Sequence, residues 1–314
     1  MTESGLVIVD KPGGMTSHDV VARVRRLAGT RRVGHAGTLD PMATGVLVVG
    51  VEKATRLLGH LTLTVKTYEA TIRLGVSTST DDAEGEPLPT PPVIGVTPAA
   101  LAAAVAALTG EIQQVPPGVS AIKVNGQRAY KLTRAGTAPS LAARPVRVYS
   151  FDVTATRTDA GFLDLDAVIR CSSGTYIRAL ARDLGTALGT GGHLTALRRT
   201  QVGPYEISAA HPLSTLDMTT SLIPLSAAAA ASFPSRHLTE DETKRVSHGN
   251  ALPAASPASD RPPASDRPPA APPPASAPPP AAPVPIAAFA PDGTLVALLA
   301  EEASLARPLA VFVP

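Results

Sequence analysis

The order of apolar and polar residues along the chain predicts strands and helices that follow one another without a regular rhythm. Leu6–Val9 is a short apolar run typical of a buried strand. Ser17 caps a predicted helix that ends at Gly29, buries a valine-rich face and carries three arginines on the rest of its surface. Thr97 precedes a proline that opens a second predicted helix, which runs to Leu108.

Two later segments alternate apolar and polar residues, and a third has the helical period. Lys66–Leu74 places Tyr68 and every second residue after it on one apolar face, and Phe162–Arg170 alternates in the same way. In the segment that follows, isoleucine and leucine recur at helical spacing, with Arg178 in the first turn. Strands and helices without successive βαβ units favour an α+β domain over a doubly wound one.

The last part of the chain has a different composition. Pro253–Pro285 contains 14 of the 32 prolines, includes ASDRPP twice in tandem and has few large apolar side chains. We therefore expect a disordered or polyproline-II-like spacer. After the spacer, two apolar runs flank a turn signal at residues 291–293 and predict a hairpin. This segment is too short to fold alone, so we expect it to pair with residues near Arg236–Leu252.

Length, composition and charge narrow the class of protein. A chain of 314 residues with 44% hydrophobic residues supports two compact units. A formal charge of +2 excludes a histone-like polycation. A single cysteine, Cys171, excludes an internal disulfide and a thiolate zinc site, so we expect an intracellular, metal-free protein. No apolar run approaches the ~20 residues of a membrane span, and no signal peptide is recognisable, so we expect a cytoplasmic location.

The local distribution of charge points to a nucleic-acid partner. Ile112–Phe151 contains six basic residues and no acidic residue. The six are Lys123, Arg128, Lys131, Arg134, Arg144 and Arg147. Glycines and prolines interrupt this segment, which favours an extended arm that binds a nucleic-acid backbone. A solvated basic face is the alternative.

The segment GHAGTLDPMATG, from Gly34 to Gly45, is the first candidate for a site. It combines glycines, which permit close approach of the backbone to a ligand, with a lone carboxylate at Asp40. Pro41 restricts Asp40 to an extended conformation and so fixes the direction of its carboxylate. The residues alone leave two interpretations open, because Asp40 could also cap a turn.

Arg178 is the second candidate. A cation in the first turn of a helix opposes the helix dipole by about 0.3–1 kcal/mol, so a compensating partner is expected. An ionised aspartate is the natural partner, and pairing would keep that aspartate nucleophilic. The alternative from the residues alone is an exposed arginine that is tolerated at small cost.

Five ordered groups of motifs resemble those of TruB-type tRNA pseudouridine-55 synthases. They are VDKPGGMTSHDVV, GHAGTLDPMATGVLVVG, KTYEATIRLG, PPGVSAIKVNGQRAYKLTRAG, and CSSGTYIRALARDLG with LRRTQVGPY. The resemblance runs in order from about Leu6 to Tyr205. It implies a pseudouridine-synthase catalytic domain, with a mixed, largely antiparallel sheet flanked by helices, and a small β-rich C-terminal domain.

The resemblance also implies roles for individual residues. Asp40, in GTLD, matches the catalytic aspartate, and Arg178, in GTYIR, matches the arginine paired with it. Tyr68, in KTYEA, matches the tyrosine that packs on the target base, and His35 matches the histidine that enters the space left by the flipped base. Lys11, in DKPGG, matches a motif that we expect to support the active-site loop. The expected RNA-binding residues are His35, Lys11, Lys123, Arg128, Lys131 and Arg134.

The activity implied is the isomerisation of uridine 55 in the T loop of tRNA to pseudouridine, by base flipping and attack from an ionised aspartate. We expect no metal and no organic cofactor. The expected partner is the T stem-loop of tRNA, with no membrane and no guide RNA, and the expected protein is a monomer. The alternative is a catalytically idle tRNA-binding protein or folding chaperone that uses the same basic surfaces.

The expected organisation has two domains. Residues 1–232 form the catalytic domain, whose basic arm at about 112–151 resembles the family's tRNA-gripping thumb. Residues 233–314 form a small RNA-binding domain of PUA type, interrupted by the spacer at 253–285. The spacer departs from the family's pattern, and the Ala, Pro and Arg content suggests a high-GC bacterial source.

Overall fold

The computed structural model describes residues 3–90, 95–118, 123–124, 127–128, 141–254, 284–302 and 304–313. Residue contacts divide the chain into two units, Met1–Leu222 and Ile223–Pro314. The first unit therefore ends at Leu222 rather than at residue 232, because the helix Leu225–Ser232 packs on strands of the second unit. Among the described residues, every helix is too short or too polar to cross a bilayer.

The first unit is built from strands and short helices. Its strands are β1 (Gly5–Lys11), β2 (Val33–Ala36), β3 (Thr44–Val51), β4 (Lys66–Leu74), β5 (Ser77–Thr78), β6 (Pro87–Leu88), β7 (Gly110–Gln114), β8 (Lys123–Val124), β9 (Gln127–Arg128), β10 (Arg144–Asp159), β11 (Phe162–Cys171), β12 (Gly192–Val202), β13 (Tyr205–Glu206) and β14 (His211–Pro212). Its helices are α1 (Ser17–Ala28), α2 (Leu58–Thr62), α3 (Pro98–Ala107), α4 (Ile177–Ala187) and α5 (Met218–Ser221). Two 3₁₀ turns lie at Glu52–Arg56 and Ile207–Ala209.

The main sheet runs in the order β14-β1-β3-β12-β4-β11-β10-β7. Its neighbours are antiparallel except for β1 with β14 and β3 with β12. The prediction of a mixed, largely antiparallel α+β domain is therefore confirmed. Strand β4 starts and ends as the alternation predicts, and its apolar face is buried from Tyr68 to Leu74.

Two helices cover parts of this sheet and bring the candidate residues together. The valines of α1 pack on those of β1 and β3, and the apolar face of α4 packs on β4, β11 and β12. Helix α1 ends at Gly29 in the left-handed conformation, as predicted. Its N-cap is Thr16 rather than Ser17, because Thr16 and Asp19 form a capping box. The Ser17 hydroxyl is thereby available for another contact.

The interval predicted as a basic arm, residues 112–151, includes parts of two strands of the main sheet. Strand β7 pairs with β10 from Gly110 opposite Val148 to Gln114 opposite Arg144, so both ends of the interval 112–151 belong to the main sheet. Between them, β8 and β9 form a two-stranded pair. The charge pattern could not reveal these pairings, since strand partners are set by register over a long sequence separation.

The second unit is a small sheet with two helices. Strand β15 (Leu222–Pro224) spans the boundary between the two units. The strands that follow are β16 (Ser235–His237), β17 (Leu252–Pro253), β18 (Ile286–Phe289), β19 (Leu295–Glu302) and β20 (Leu305–Val311), and the helices are α6 (Leu225–Ser232) and α7 (Glu240–Ser247). The sheet order is β16-β18-β19-β20-β17. Strands before residue 254 thus pair with strands after residue 284, as the sequence predicts. Most of the proline-rich segment lies outside the described residues.

Candidate active site

The loop that carries Asp40 connects β2 to β3 and spans residues 37–43. The backbone amide of Leu39 donates to Ser17 Oγ at 2.9 Å, and the Ser17 hydroxyl donates to the Leu39 carbonyl at 3.1 Å. Both groups are buried, so these hydrogen bonds are protected from water. The first residue of α1 thus fixes the backbone immediately before Asp40.

The Asp40 carboxylate pairs with the guanidinium of Arg178. Arg178 Nε donates to Asp40 Oδ2 at 2.9 Å and Nη2 donates to Oδ1 at 3.2 Å. The arginine side chain is only 5% exposed, whereas the Asp40 side chain is 36% exposed. Two parallel charge-assisted bonds stabilise the ionised carboxylate and fix its orientation. The predicted pair is therefore present, with one partner buried and the other open.

Two further groups compensate the buried guanidinium. Arg178 Nη1 donates to the carbonyl of Thr80 at 2.9 Å, and Arg178 Nε lies 3.5 Å from Asp82 Oδ2. The Asp82 side chain is 4% exposed. Two carboxylates thus face one arginine, and they offset the unfavourable position of this cation in the first turn of α4.

The N-terminus of α4 is held by a side chain from β7. Tyr176, which precedes the helix, has no side-chain cap. Its backbone amide donates to Gln114 Oε1 at 2.8 Å, and its carbonyl accepts from Gln114 Nε2 at 3.1 Å. Gln114 is almost completely buried. This pair of bonds sets the helix terminus that carries Arg178.

Tyr68 and Arg199 occupy paired positions on β4 and β12. Arg199 is 1% exposed; its Nε donates to the carbonyl of Val46 at 2.7 Å and its Nη2 to the carbonyl of Gly37 at 3.0 Å. One guanidinium therefore connects β3 with the start of the Asp40 loop. Burial raises the pKa of Tyr68, although Arg199 acts in the opposite direction, so the phenol stays neutral.

Asp40, Arg178, Tyr68 and Arg199 all line one cavity of about 290 Å³. The remaining wall comes mainly from residues 172–177 before and at the start of α4. Since the Asp40 carboxylate is bound by Arg178 on one side and partly exposed on the other, it can act on a group inside this space. The cavity can hold a planar ring beside Tyr68.

Two buried lysines lie beside this cavity. Lys66 Nζ donates to the carbonyls of Thr62 and Thr64 at 2.8 and 2.9 Å, and burial, assisted by Arg199, lowers its pKa to about 8. Lys11 has a pKa of about 8, because burial outweighs the opposing effect of the Asp40 carboxylate.

The sequence leads us to expect that Lys11 both supports the Asp40 loop and binds RNA. Its ammonium donates to the carbonyl of Pro12, the next residue in the chain, at 2.8 Å and to the carbonyl of Pro41, in the Asp40 loop, at 3.1 Å. Lys11 thus supports the Asp40 loop. The side chain is 0% exposed, so the direct RNA contact that the sequence analysis also expected would require it to leave the protein interior.

His35 lies on β2, next to the site but outside the cavity wall formed by the described residues. Its ring meets that of His18 edge to face, with 5.5 Å between centroids. Burial, with smaller contributions from His18 and Arg199, lowers the pKa of His35 to about 4, so the ring is neutral at pH 7. Its Nδ1 has no hydrogen-bond partner in the described part of the chain.

The other four expected RNA-binding residues lie in the arm. Lys123 and Arg128 are opposite each other in the pair β8 and β9. Lys131 and Arg134 lie outside the described residues. Their interaction with RNA therefore stays a prediction.

Three site residues were missed by sequence reasoning. Lys66 lies two residues before Tyr68 and therefore on the same apolar face of β4. Its position in the alternating pattern could have predicted that this cation is buried. Arg199 lies in the quoted motif LRRTQVGPY, but nothing in that motif distinguishes it from Arg198. Asp82 had no sequence signal, because its approach to Arg178 depends on how the loop between β5 and β6 folds.

Other reactive groups are few among the described residues. No cluster of three or more histidine, cysteine or acidic side chains there has the geometry to hold a metal ion. Cys171 is buried, and burial raises the pKa of its thiol to about 11. The thiol stays protonated, so Cys171 behaves as a small buried apolar residue.

The chain matches three family models in succession. Residues 25–177 match the TruB family pseudouridylate synthase N-terminal domain. Residues 178–223 match the tRNA pseudouridylate synthase B C-terminal domain, and residues 276–313 match the tRNA pseudouridine synthase II C-terminal model. The first two models cover Asp40, Tyr68 and Arg178.

Solved structures share the fold. A Cbf5-Nop10-Gar1 complex contains a chain that matches 99% of this protein and 85% of its own length, with a TM-score of 0.68 and 24% identity. The structure of an H/ACA RNP bound to a substrate RNA containing 2'-deoxyuridine gives a TM-score of 0.67 at 23% identity, over 99% of this chain and 85% of that one. The predicted pseudouridine-synthase fold is confirmed by these likenesses.

Relatives with curated names are similar over almost their whole length. The tRNA pseudouridine synthase B of Arthrobacter sp. (strain FB24) is 59% identical over 313 residues, which is 99% of this chain and 97% of the relative. The protein of the same name from Thermobifida fusca (strain YX) is 55% identical, over 98% of each chain. With the matching motifs, fold and site, this similarity shows that the chain belongs to the TruB family of pseudouridylate synthases.

Proposed function

We propose that the protein isomerises uridine 55 in the T loop of tRNA to pseudouridine, and that it acts as a monomer without a guide RNA. The similarity to proteins named tRNA pseudouridine synthase B supports the substrate and the reaction. The observation that carries the proposal is the Asp40 carboxylate, which is bound to a buried arginine and partly exposed beside Tyr68. One chain supplies all of these groups, which supports activity as a monomer.

The reaction exchanges one bond of the ribose for another. The bond from N1 of uracil to C1′ breaks, C5 of the base joins C1′, and a proton leaves C5 while N1 gains one. Atoms balance without an oxidant or a second substrate. Asp40 is the reacting carboxylate, as nucleophile or as base, and Arg178 binds it and directs it into the cavity. Attack on the base, attack on the sugar and elimination through a glycal all use an ionised carboxylate.

The target base has to leave its stack before Asp40 can reach it. Extrusion of a base costs a few kcal/mol. Packing on an aromatic ring returns about 1–3 kcal/mol per base, so Tyr68 and the neutral ring of His35 recover part of that cost. Tyr68 packs on the base, and His35 enters the space that the base leaves.

Two parts of the chain extend the RNA contact in this proposal. The basic arm, with Lys123, Arg128, Lys131 and Arg134, binds the phosphate backbone of the T stem-loop. The second unit acts as an RNA-binding domain of PUA type. Its small five-stranded sheet is the observation that supports this assignment. These contacts hold the hairpin while the base is exchanged.

The decisive experiment is the mapping of pseudouridine on an unmodified tRNA transcript, by mass spectrometry of its carbodiimide adduct, after incubation with the purified protein alone. We expect pseudouridine at position 55 with the unmutated protein. Asp40→Asn should abolish it and retain tRNA binding. Asp292→Asn, which changes an exposed turn aspartate, is the matched control and should be fully active.

Each failure in this experiment has a specific meaning. An unmutated protein that binds tRNA but forms no pseudouridine would overturn the proposed function in favour of an RNA-binding protein or folding chaperone. Activity that appears only after a guide RNA is added would overturn the stand-alone mode of action.

A further inference from the structure

The second half of α1 and the turn after it carry five arginines, which together form a region that we call the α1 basic surface. They are Arg23, Arg25, Arg26, Arg31 and Arg32. All five are exposed. Residues 20–39 contain no acidic residue, so this segment supplies no counter-charge to its own arginines.

The local structure explains how these arginines are gathered. Helix α1 ends at Gly29 with φ of 63°, and the chain turns back at once into β2. Arg25 Nη2 donates to the carbonyl of Val33 at 3.0 Å across this turn. The arginines that follow the turn therefore lie beside those of the last helical turns.

Most of this charge is not used inside the protein. Arg32 lies 3.7 Å from Glu52, yet its side chain remains 79% exposed. The guanidinium groups of Arg23, Arg26 and Arg31 make no hydrogen bond and no ion pair with the described residues. The helix dipole favours basic residues in the last turn, which accounts for Arg26 but not for Arg23 or Arg31.

The position of the surface relative to the candidate site follows from the helix. Helix α1 begins at the Asp40 loop, where Ser17 is hydrogen-bonded to Leu39. Its 12 residues span ~18 Å at 1.5 Å per residue. The α1 basic surface therefore lies toward the end of the helix that points away from the Asp40 loop, and none of its five arginines lines the cavity that contains Asp40.

We propose that the α1 basic surface binds the phosphate backbone of the substrate tRNA, at a place separate from the reacting loop. This inference rests on the proposed function, because it takes the polyanion to be the tRNA on which the enzyme acts. Exposed guanidinium groups without protein partners suit phosphate oxygens, which accept two parallel hydrogen bonds from one arginine. Such contacts add affinity without reading the sequence.

The test compares four proteins by their affinity for an unmodified tRNA transcript, measured by filter binding between 50 and 200 mM salt. In the first variant, Arg23, Arg26 and Arg31 are changed to alanine; in the second, the same three are changed to lysine. Loss of three phosphate contacts should reduce the slope of log affinity against log salt by about 2 to 3. Over this range the unmutated protein should therefore lose about 16- to 64-fold more affinity than the alanine variant.

The lysine variant is the matched control, because it keeps the charge and should keep the slope. A second alanine variant, Arg23→Ala with Arg31→Ala, leaves the helix C-terminus intact and should show about two thirds of the effect. Thermal unfolding verifies that each variant is folded. Equal salt slopes for the unmutated and alanine proteins would overturn the proposal, as would a lysine variant as weak as the alanine one.

The test of the α1 basic surface and the test of the proposed function can fail separately. Binding is the readout here, whereas pseudouridine formation by the unmutated protein tests the reaction. A protein that shows the expected salt slopes but forms no pseudouridine would retain the α1 basic surface as an RNA contact and lose the proposed activity.

Discussion

Gly45 and Arg199 approach each other so closely that a Cβ atom at Gly45 would lie 2.2 Å from the carbonyl oxygen of Arg199. They are paired residues of the neighbouring parallel strands β3 and β12. Gly45 also has φ of +98°, a region that other residues rarely adopt. This contact joins the strand after the Asp40 loop to the strand that carries Arg199, so the close approach determines where the loop ends.

Gly45→Ala should therefore destabilise the protein and slow turnover. Backbone strain alone costs about 1–3 kcal/mol, and the clash with a backbone atom adds to that cost because neither strand can move alone. Urea unfolding gives the stability, and single-turnover kinetics give the rate. Gly293→Ala is the matched control, since Gly293 has φ of 82° and open space around it. Equal losses of stability in the two variants would show that the approach to Arg199 has no energetic weight.

Arg178→Lys should lower turnover while tRNA affinity changes little. A lysine ammonium cannot form the two parallel bonds that Arg178 makes with Asp40. A hydrogen bond to a charged group contributes about 1.5–3 kcal/mol, which corresponds to a fall of about 10- to 150-fold in the rate of the chemical step. Single-turnover kinetics and filter binding separate the two effects.

Arg182→Lys provides the control on the same helix. Arg182 pairs with Asp81 and Asp183 rather than with Asp40, so this variant should keep most of its activity. A defect of Arg178→Lys that lies mainly in tRNA affinity would contradict the assignment of Asp40 as its functional partner.

The sequence could predict the elements and the principal pair, but not the interior of the site. Period-two alternation gave the extent of β4, and an arginine in the first turn of α4 indicated that a counter-charge must be near. Asp40 and Arg178 are 138 positions apart, and only the family resemblance specified that they meet. The pairing of Arg199 with Tyr68 lies between two register shifts in β12, one between Leu194 and Ala196 and one between Arg199 and Gln201. Hydrophobic pattern does not encode such a shift, because it is set by strand pairing.

His35 should titrate near pH 4, well below the usual value for histidine. Burial disfavours the imidazolium, and positive charge on Arg199 acts in the same direction. NMR titration of the histidine ring protons, with His35→Asn to assign the resonance, measures this pKa directly. Because the neutral ring is the dominant form above pH 5, His35 should contribute no step to the pH dependence of turnover between pH 5 and 8. A midpoint near 6.5 would show that the ring is solvated.

The free energy of unfolding of the unmutated protein should increase, relative to that of a Lys66→Met variant, as the pH rises from about 8 to 10.5. Burial lowers the pKa of Lys66 from 10.5 in the unfolded chain to about 8 in the folded protein. Between these values the unfolded chain binds the proton and the folded protein does not, so the free energy of unfolding increases with pH. The two pKa values differ by about 2.5, which corresponds to about 3 kcal/mol in the free energy of unfolding.

The measurement is the difference in the free energy of unfolding between the unmutated protein and Lys66→Met at pH 7, 8.5 and 10. The difference should be constant below pH 8, where Lys66 is charged in both states, and should then move in favour of the unmutated protein. Lys244→Met, which removes an exposed lysine of α7, should show no comparable change. A difference that stays flat above pH 8 would mean that the Lys66 ammonium is compensated by its hydrogen bonds to Thr62 and Thr64, and that its charge costs the folded protein nothing.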